Sequence, residues 1–188
     1  MTTIFSLLLL AAAPAFGGES AAPELEPYVS DGNFFTASVP SSWEKSEEIL
    51  LGRQEKEYGV DMSAPGGPPA PAAISILYYA PDHAMFKTHE KFLNTQLKPP
   101  TRIKGEVTGK VKDVLVNHRR AKTFDKRTFD FIPPYSPTPK KVEMFERCVV
   151  LPAKKGFYVL NFRTKKGDEK AYLPVFDKVL QSFKPNVK

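Results

Sequence analysis

The sequence predicts an α+β fold, one antiparallel β-sheet sandwiched between helices (an α/β/α sandwich). Three observations predict it. Four strand-like runs in the second half follow one another across short turn signals. Two stretches with helical spacing stand apart from those runs, at residues 82–97 and 172–183. Strands and helices do not alternate one for one, as a parallel sheet built from crossovers would require.

The amino terminus opens on an apolar run, Ile4 to Ala13, interrupted only by Ser6. A spanning helix needs roughly 20 apolar residues, so this run is too short to anchor the chain. It has the length of a signal-peptide core, and Ala13-Pro14-Ala15 or Ala15-Phe16-Gly17 offers the small-x-small cleavage pattern. Met1, Thr2 and Thr3 carry no basic side chain, a departure from the usual leader. Residues 1–17 therefore read as a signal peptide, which leaves no transmembrane segment in the mature protein. No Cys follows the leader to carry a lipid. Residues 18–30, rich in Ala, Pro, Glu and Gly, read as a flexible lead-in. Residues 31–188 read as a single domain, large enough to hold a core without staples. The lone Cys148 has no intramolecular partner and lies in an apolar run, where it reads as a small buried hydrophobe.

Within the domain, Phe34 to Val39 has a short strand pattern ended by Pro40, and a further strand-like stretch runs from Trp43 through Met62. Tyr58, Val60 and Met62 occupy one alternate face of it. Six prolines and glycines between Ala64 and Ala72 enforce a loop. Ala73 to Ala80 is almost continuously apolar, the mark of a central strand covered on both faces. Asp82 is placed to cap a helix running to Leu97, with Phe86, Leu93 and Leu97 on one side. Ile103–Val116 and Arg119–Phe131 form a hairpin about Asn117-His118, residue types that tolerate the positive φ such turns need. After a second proline loop, Val142–Leu151 and Gly156–Thr164 make another hairpin. A helix from Tyr172 to Phe183 closes the chain, its stripe formed by Tyr172, Phe176, Val179 and Phe183. Pro174 fits there only in the first turn, where no backbone N–H is missed.

The net charge of +6 conceals an asymmetry. Residues 1–100 carry 6 basic and 12 acidic side chains, residues 101–188 carry 21 basic and 9 acidic. A basic half implies an acidic partner, and export turns the expectation from nucleic acid to an acidic envelope protein or an anionic surface. Many lysines sit in pairs at turn signals, where solvation alone accounts for them. The basic hairpin carries the candidate contact residues: His118, Arg119, Arg120, Lys122, Lys126 and Arg127. Arg grips carboxylate or phosphate through two donors at once.

No Gly-x-Ser-x-Gly elbow or Gly-rich phosphate cradle is present, and the sequence pairs no Cys with a His, so a non-catalytic role without cofactor is expected. Asp82, His83, His89 and Glu90 form the one cluster of metal-ligand type. A separation of six residues turns His83 and His89 about 120° apart on a helix, so they do not share a face. Asp82 is more simply a cap.

Phe35 to Trp43, Phe-Thr-Ala-Ser-Val-Pro-Ser-Ser-Trp, resembles the opening strand and Pro-x-x-Trp turn of the PsbP-like family. The Asn-His hairpin followed by Ala121, the Gly-Phe-Tyr-Val-Leu-Asn-Phe strand and the final Phe-Asp-Lys-Val-Leu-Gln-Ser-Phe-Lys helix resemble its later landmarks. The resemblance spans residues 28–185. Ser42 and His118 stand where the family uses Gly, and the two proline loops resemble insertions. The resemblance implies an antiparallel sheet between helices in a protein of the periplasm or thylakoid lumen, or one that is secreted. It also implies a largely non-catalytic membership of photosystem subunits, assembly factors and envelope proteins. The expected function is thus an exported protein-interaction or assembly domain of the cell envelope. The alternative is a small-ligand or metal-binding periplasmic module beside the helix at residues 82–97.

Overall fold

The computed structural model describes residues 23–66, 70–99 and 102–187. The leader expected at residues 1–17 lies outside them. Eight antiparallel strands form the main sheet: β3 (Glu44–Ser46), β4 (Glu57–Ser63), β5 (Ala73–Tyr79), β6 (Val107–Thr108), β7 (Lys112–Val116), β8 (Arg119–Ile132), β9 (Lys140–Pro152) and β10 (Phe157–Lys165). Their spatial order is β3-β4-β5-β10-β9-β8, with β6 and β7 both paired to the outer side of β8. A small second sheet joins β1 (Leu25–Val29), β2 (Phe35–Pro40) and β11 (Lys184–Pro185). Among the described residues there are three α-helices: α1 (Ile49–Glu55), α2 (His89–Leu97) and α3 (Glu169–Ser182).

Strand β10 explains how the layers are held. Its side chains alternate, and both sets are apolar because both faces are covered. Tyr158, Leu160 and Phe162 join the core shared with β2 and α3. Phe157 and Val159 join the core under α2, with Phe124, Cys148 and Val150. The Tyr79 and Phe157 rings stack at 4.9 Å there, across a directly paired register. The expected sandwich of one antiparallel sheet between helices is what forms. The small sheet is stitched on by Tyr158, whose hydroxyl donates to the Phe34 carbonyl (2.8 Å) and accepts from the Val187 N–H (3.1 Å).

Five local expectations are corrected. The lead-in is not all loose, since residues 25–29 pair with β2 as β1. Pro27 is admitted because β1 is an edge strand, where a missing N–H costs no ladder bond. Residues 49–55, expected within a strand, form α1. Leu, Arg, Gln and Glu favour helix, and Lys56 ends it in the left-handed region at φ 64°, its N–H bonded to the Gly52 carbonyl. Helix α2 begins at His89 with Thr88 as its cap, not at Asp82. The strand expected at 103–116 is split into β6 and β7 by residues 109–111, and Gly109 N–H reaches the Asp125 carbonyl at 2.8 Å. Helix α3 begins at Glu169, so Pro174 lies beyond the first turn and removes one helical bond on its exposed side.

The turns behave as their residues require. Asn117 and His118 take φ values of 46° and 63°, the doubly positive geometry of a two-residue hairpin. Gly156 turns β9 into β10 at φ 71°, and a Cβ there would lie 2.1 Å from the Tyr79 carbonyl oxygen. Gly156→Ala is therefore expected to destabilise the fold by about 1–3 kcal/mol through strain alone, with the added clash raising the loss. Urea denaturation checks this.

Candidate functional site

A cleft of about 460 Å³ opens on the face of the main sheet that carries α3. It exists because α3 packs over β2 and β10 and stops there, while the sheet continues through β9, β8 and β7. Strand alternation turns Lys112, Val114 and Val116 of β7 toward this face, as well as Thr123 and Asp125 of β8 and Arg147 and Val149 of β9. Asp177, Leu180 and Gln181 of α3 form the opposite wall. Val114, Val116, Val149 and Leu180 make an apolar part, and a charged part adjoins it.

At the charged part, Arg147 donates twice to the Asp125 carboxylate, at 2.8 and 3.0 Å. Those bonds hold the guanidinium more firmly protonated than usual, and Asp177 adds to the effect. The pair neutralises itself. Lys110 and Lys112 have no acidic partner within ion-pair distance among the described residues. No strand among the described residues pairs with the outer side of β7. The cleft therefore runs along an open sheet edge that carries free cations.

The six contact residues expected from the sequence do not form one patch. Lys122 and Lys126 share the α2 face of β8, because Lys122 pairs with Val150 of that core. Arg119 and Arg127 alternate to the α3 face. Lys122 is engaged by Asp113 at 2.6 Å, and Lys126 is bonded to the Gln96 carbonyl oxygen. Arg127 lies 3.8 Å from Glu143, and Arg119 donates to the Pro152 carbonyl at 3.3 Å. His118 and Arg120 remain exposed at the hairpin tip, close in sequence to the cleft-lining Val116 and Asn117. Sequence reading missed Lys110, Lys112, Asp125, Arg147 and Asp177 because four separate segments bring them together.

The histidine pair is not assembled as a metal site. His83 is buried, and its Nδ1 accepts the Met85 and Phe86 backbone N–H groups at 3.1 and 2.9 Å. An accepting Nδ1 leaves the proton on Nε2, which faces Glu57 at 3.4 Å. His89 faces Glu90 at 3.2 Å instead. Among the described residues no group of three or more His, Cys, Asp or Glu is placed to hold a metal ion. Cys148 is buried, and burial pushes its thiol up to about 12, which suits packing rather than reaction.

Burial raises the Glu57 carboxyl above its ordinary 4.5, with the attraction of His83 working against the rise. A carboxyl whose folded value is raised favours the fold below its unfolded value, and that contribution is lost as pH climbs through the folded value. Glu57→Gln keeps an acceptor for His83 and removes the buried charge. Its stability relative to the native chain is expected to increase between about pH 4 and about pH 7, as measured by urea denaturation at both.

No protein-family model matches the sequence, and no curated protein matches it. Solved structures do match in shape. The chain is similar to PA94 of Pseudomonas aeruginosa, a protein of unknown function and putative regulator. The TM-score is 0.52 at 15% identity, covering 87% of this chain and 99% of that one. It is also similar to cyanobacterial PsbP (CyanoP) from Synechocystis sp. PCC 6803, with TM-score 0.53 at 12% identity over 92% and 98% of the two chains. LpqN of Mycobacterium tuberculosis, involved in cell envelope biogenesis, matches at TM-score 0.46 and 14% identity over 85% and 89%. The fold is thus PsbP-like. At these identities the likeness extends to the fold alone.

Proposed function

We propose that the chain is an exported, non-catalytic binding domain of the cell envelope that holds an extended acidic segment of a partner protein. The segment lies along the open side of β7 and seats an apolar side chain in the cleft. One observation carries the reading: an apolar-lined cleft opens beside a sheet edge whose lysines are unpaired. Lysines on an edge deter pairing with a like edge, yet they favour an added strand that brings carboxylates. The apolar run at residues 4–13 supports export, and the excess of basic over acidic residues beyond residue 100 supports the sign of the partner.

The test is backbone chemical-shift mapping with a synthetic peptide of alternating Glu and Leu. Shifts concentrated on Lys112, Val114, Val116 and Val149, with slowed amide exchange along β7, are expected. The cleft volume also lies within the range of small-molecule sites, about 300–1,000 Å³. A small apolar ligand would perturb Val149 and Leu180 and leave β7 amide exchange unchanged, and that result would replace the peptide reading. No shift at either place would overturn both.

A further inference from the structure

We propose that α1 and the crevice beneath it form a second docking surface, which takes a basic amphipathic segment of a partner protein. Ile49, Leu50 and Leu51 follow one another on α1 and are 43%, 83% and 48% exposed. No residue of this helix is buried. Scattered exposed aliphatics are ordinary on a protein surface, but three in succession leave about 200° of this short helix's circumference apolar and exposed. Such a patch, rimmed by polar groups, marks an interaction site.

The rim states the partner's charge. Between α1 and β4 lies a crevice of about 130 Å³ into which five carboxyl residues converge. Three of the five are engaged. Asp31 binds Arg53 through two bonds of 2.8 and 2.6 Å, Asp61 accepts from the Ser75 hydroxyl, and Glu57 faces His83. Glu48 and Glu55 have no ion-pair partner among the described residues. The crevice is smaller than a pocket for a drug-sized ligand, which starts near ~300 Å³. It suits a single side chain. A Lys or Arg side chain fits these terms, its stem against Ile49, Leu51 and Leu77 and its cation between the free carboxylates.

The same rim excludes an anionic membrane, whose headgroups the carboxylates repel. The basic edge at β7 carries the opposite charge, so the two surfaces select different partners. The domain thereby becomes a bridge between one acidic and one basic component.

The experiment is fluorescence anisotropy with a labelled amphipathic peptide of lysine and leucine, at near-physiological salt. Binding is expected to weaken at least about tenfold in Leu50→Ser and in the pair Glu48→Lys with Glu55→Lys, as for anchors of an interface. It is expected to be unchanged in Lys110→Glu with Lys112→Glu. All these side chains are exposed, and unchanged thermal midpoints verify the folding of each variant. Absence of binding, or binding indifferent to Leu50→Ser, would overturn the proposal. Self-association in sedimentation that Leu50→Ser abolishes would also overturn it, by giving the patch to a second copy of the chain.

Discussion

Phe176→Ala is expected to cost about 3–5 kcal/mol of folding stability, the loss seen when a large core aromatic is truncated. Phe176 is fully buried on α3, and its ring stacks on Phe162 of β10 at 5.5 Å. The helix packs on β2 of the small sheet and on β10 of the main one, and this ring pair lies at its contact with β10. Phe176→Leu keeps much of the volume and is expected to cost less than about 1.5 kcal/mol. Urea denaturation at neutral pH measures both. The substitution also reaches the cleft, since Asp177 and Leu180 on the same helix form its wall. A loss below about 1 kcal/mol would mean that α3 is not clamped by its aromatic stripe.

Lys110→Glu combined with Lys112→Glu is expected to leave stability within about 0.5 kcal/mol of the native chain, since both side chains are exposed and unpaired. Its effect falls on binding. Each reversal replaces an attraction of about 1 kcal/mol by a comparable repulsion, before screening. With screening, the pair is expected to weaken an acidic extended ligand by about a hundredfold. Lys110→Gln with Lys112→Gln removes the attraction without the repulsion and is expected to fall between the two. The native affinity is expected to fall steeply with added salt, and the reversed variant's to rise. Equal affinities for native and reversed chains would remove charge from the account of the edge.

The strands that carry the core were legible because their patterns are strong. Ala73–Ala80 and Gly156–Thr164 are apolar on both alternations, and both lie where two layers cover them. Asn117-His118 announced its turn because few other residues tolerate positive φ. What escaped was structure without a buried face or without length. Helix α1 buries none of its residues, so it has no periodicity to read. Strand β1 is five residues with a proline at its centre, and only its pairing with β2 makes it a strand. The start of α2 was misplaced because His83, not Asp82, organises the preceding turn through its ring nitrogen.

The candidate site was less legible than the fold, for a reason of geometry. A run such as His118 to Arg127 reads as one basic surface, but a strand sends neighbours to opposite faces. Asp113, Gln96, Glu143 and a backbone carbonyl then occupy Lys122, Lys126, Arg127 and Arg119. At the cleft the cations without an acidic partner among the described residues are Lys110 and Lys112, and the cleft itself depends on where α3 ends. That depends on long-range packing, which no local pattern records.

The most direct test of the proposed binding edge is site-specific photocrosslinking in the native compartment. A photoreactive residue replaces Thr123 in the cleft wall, and in a second chain it replaces Lys170 on α3, outside the residues that line the cleft. The account predicts one dominant crosslinked partner from the cleft position, joined through an acidic, extended segment and lost in the Lys110→Glu, Lys112→Glu chain. Equal products from both positions, or a cleft product that survives the charge reversal, would contradict it.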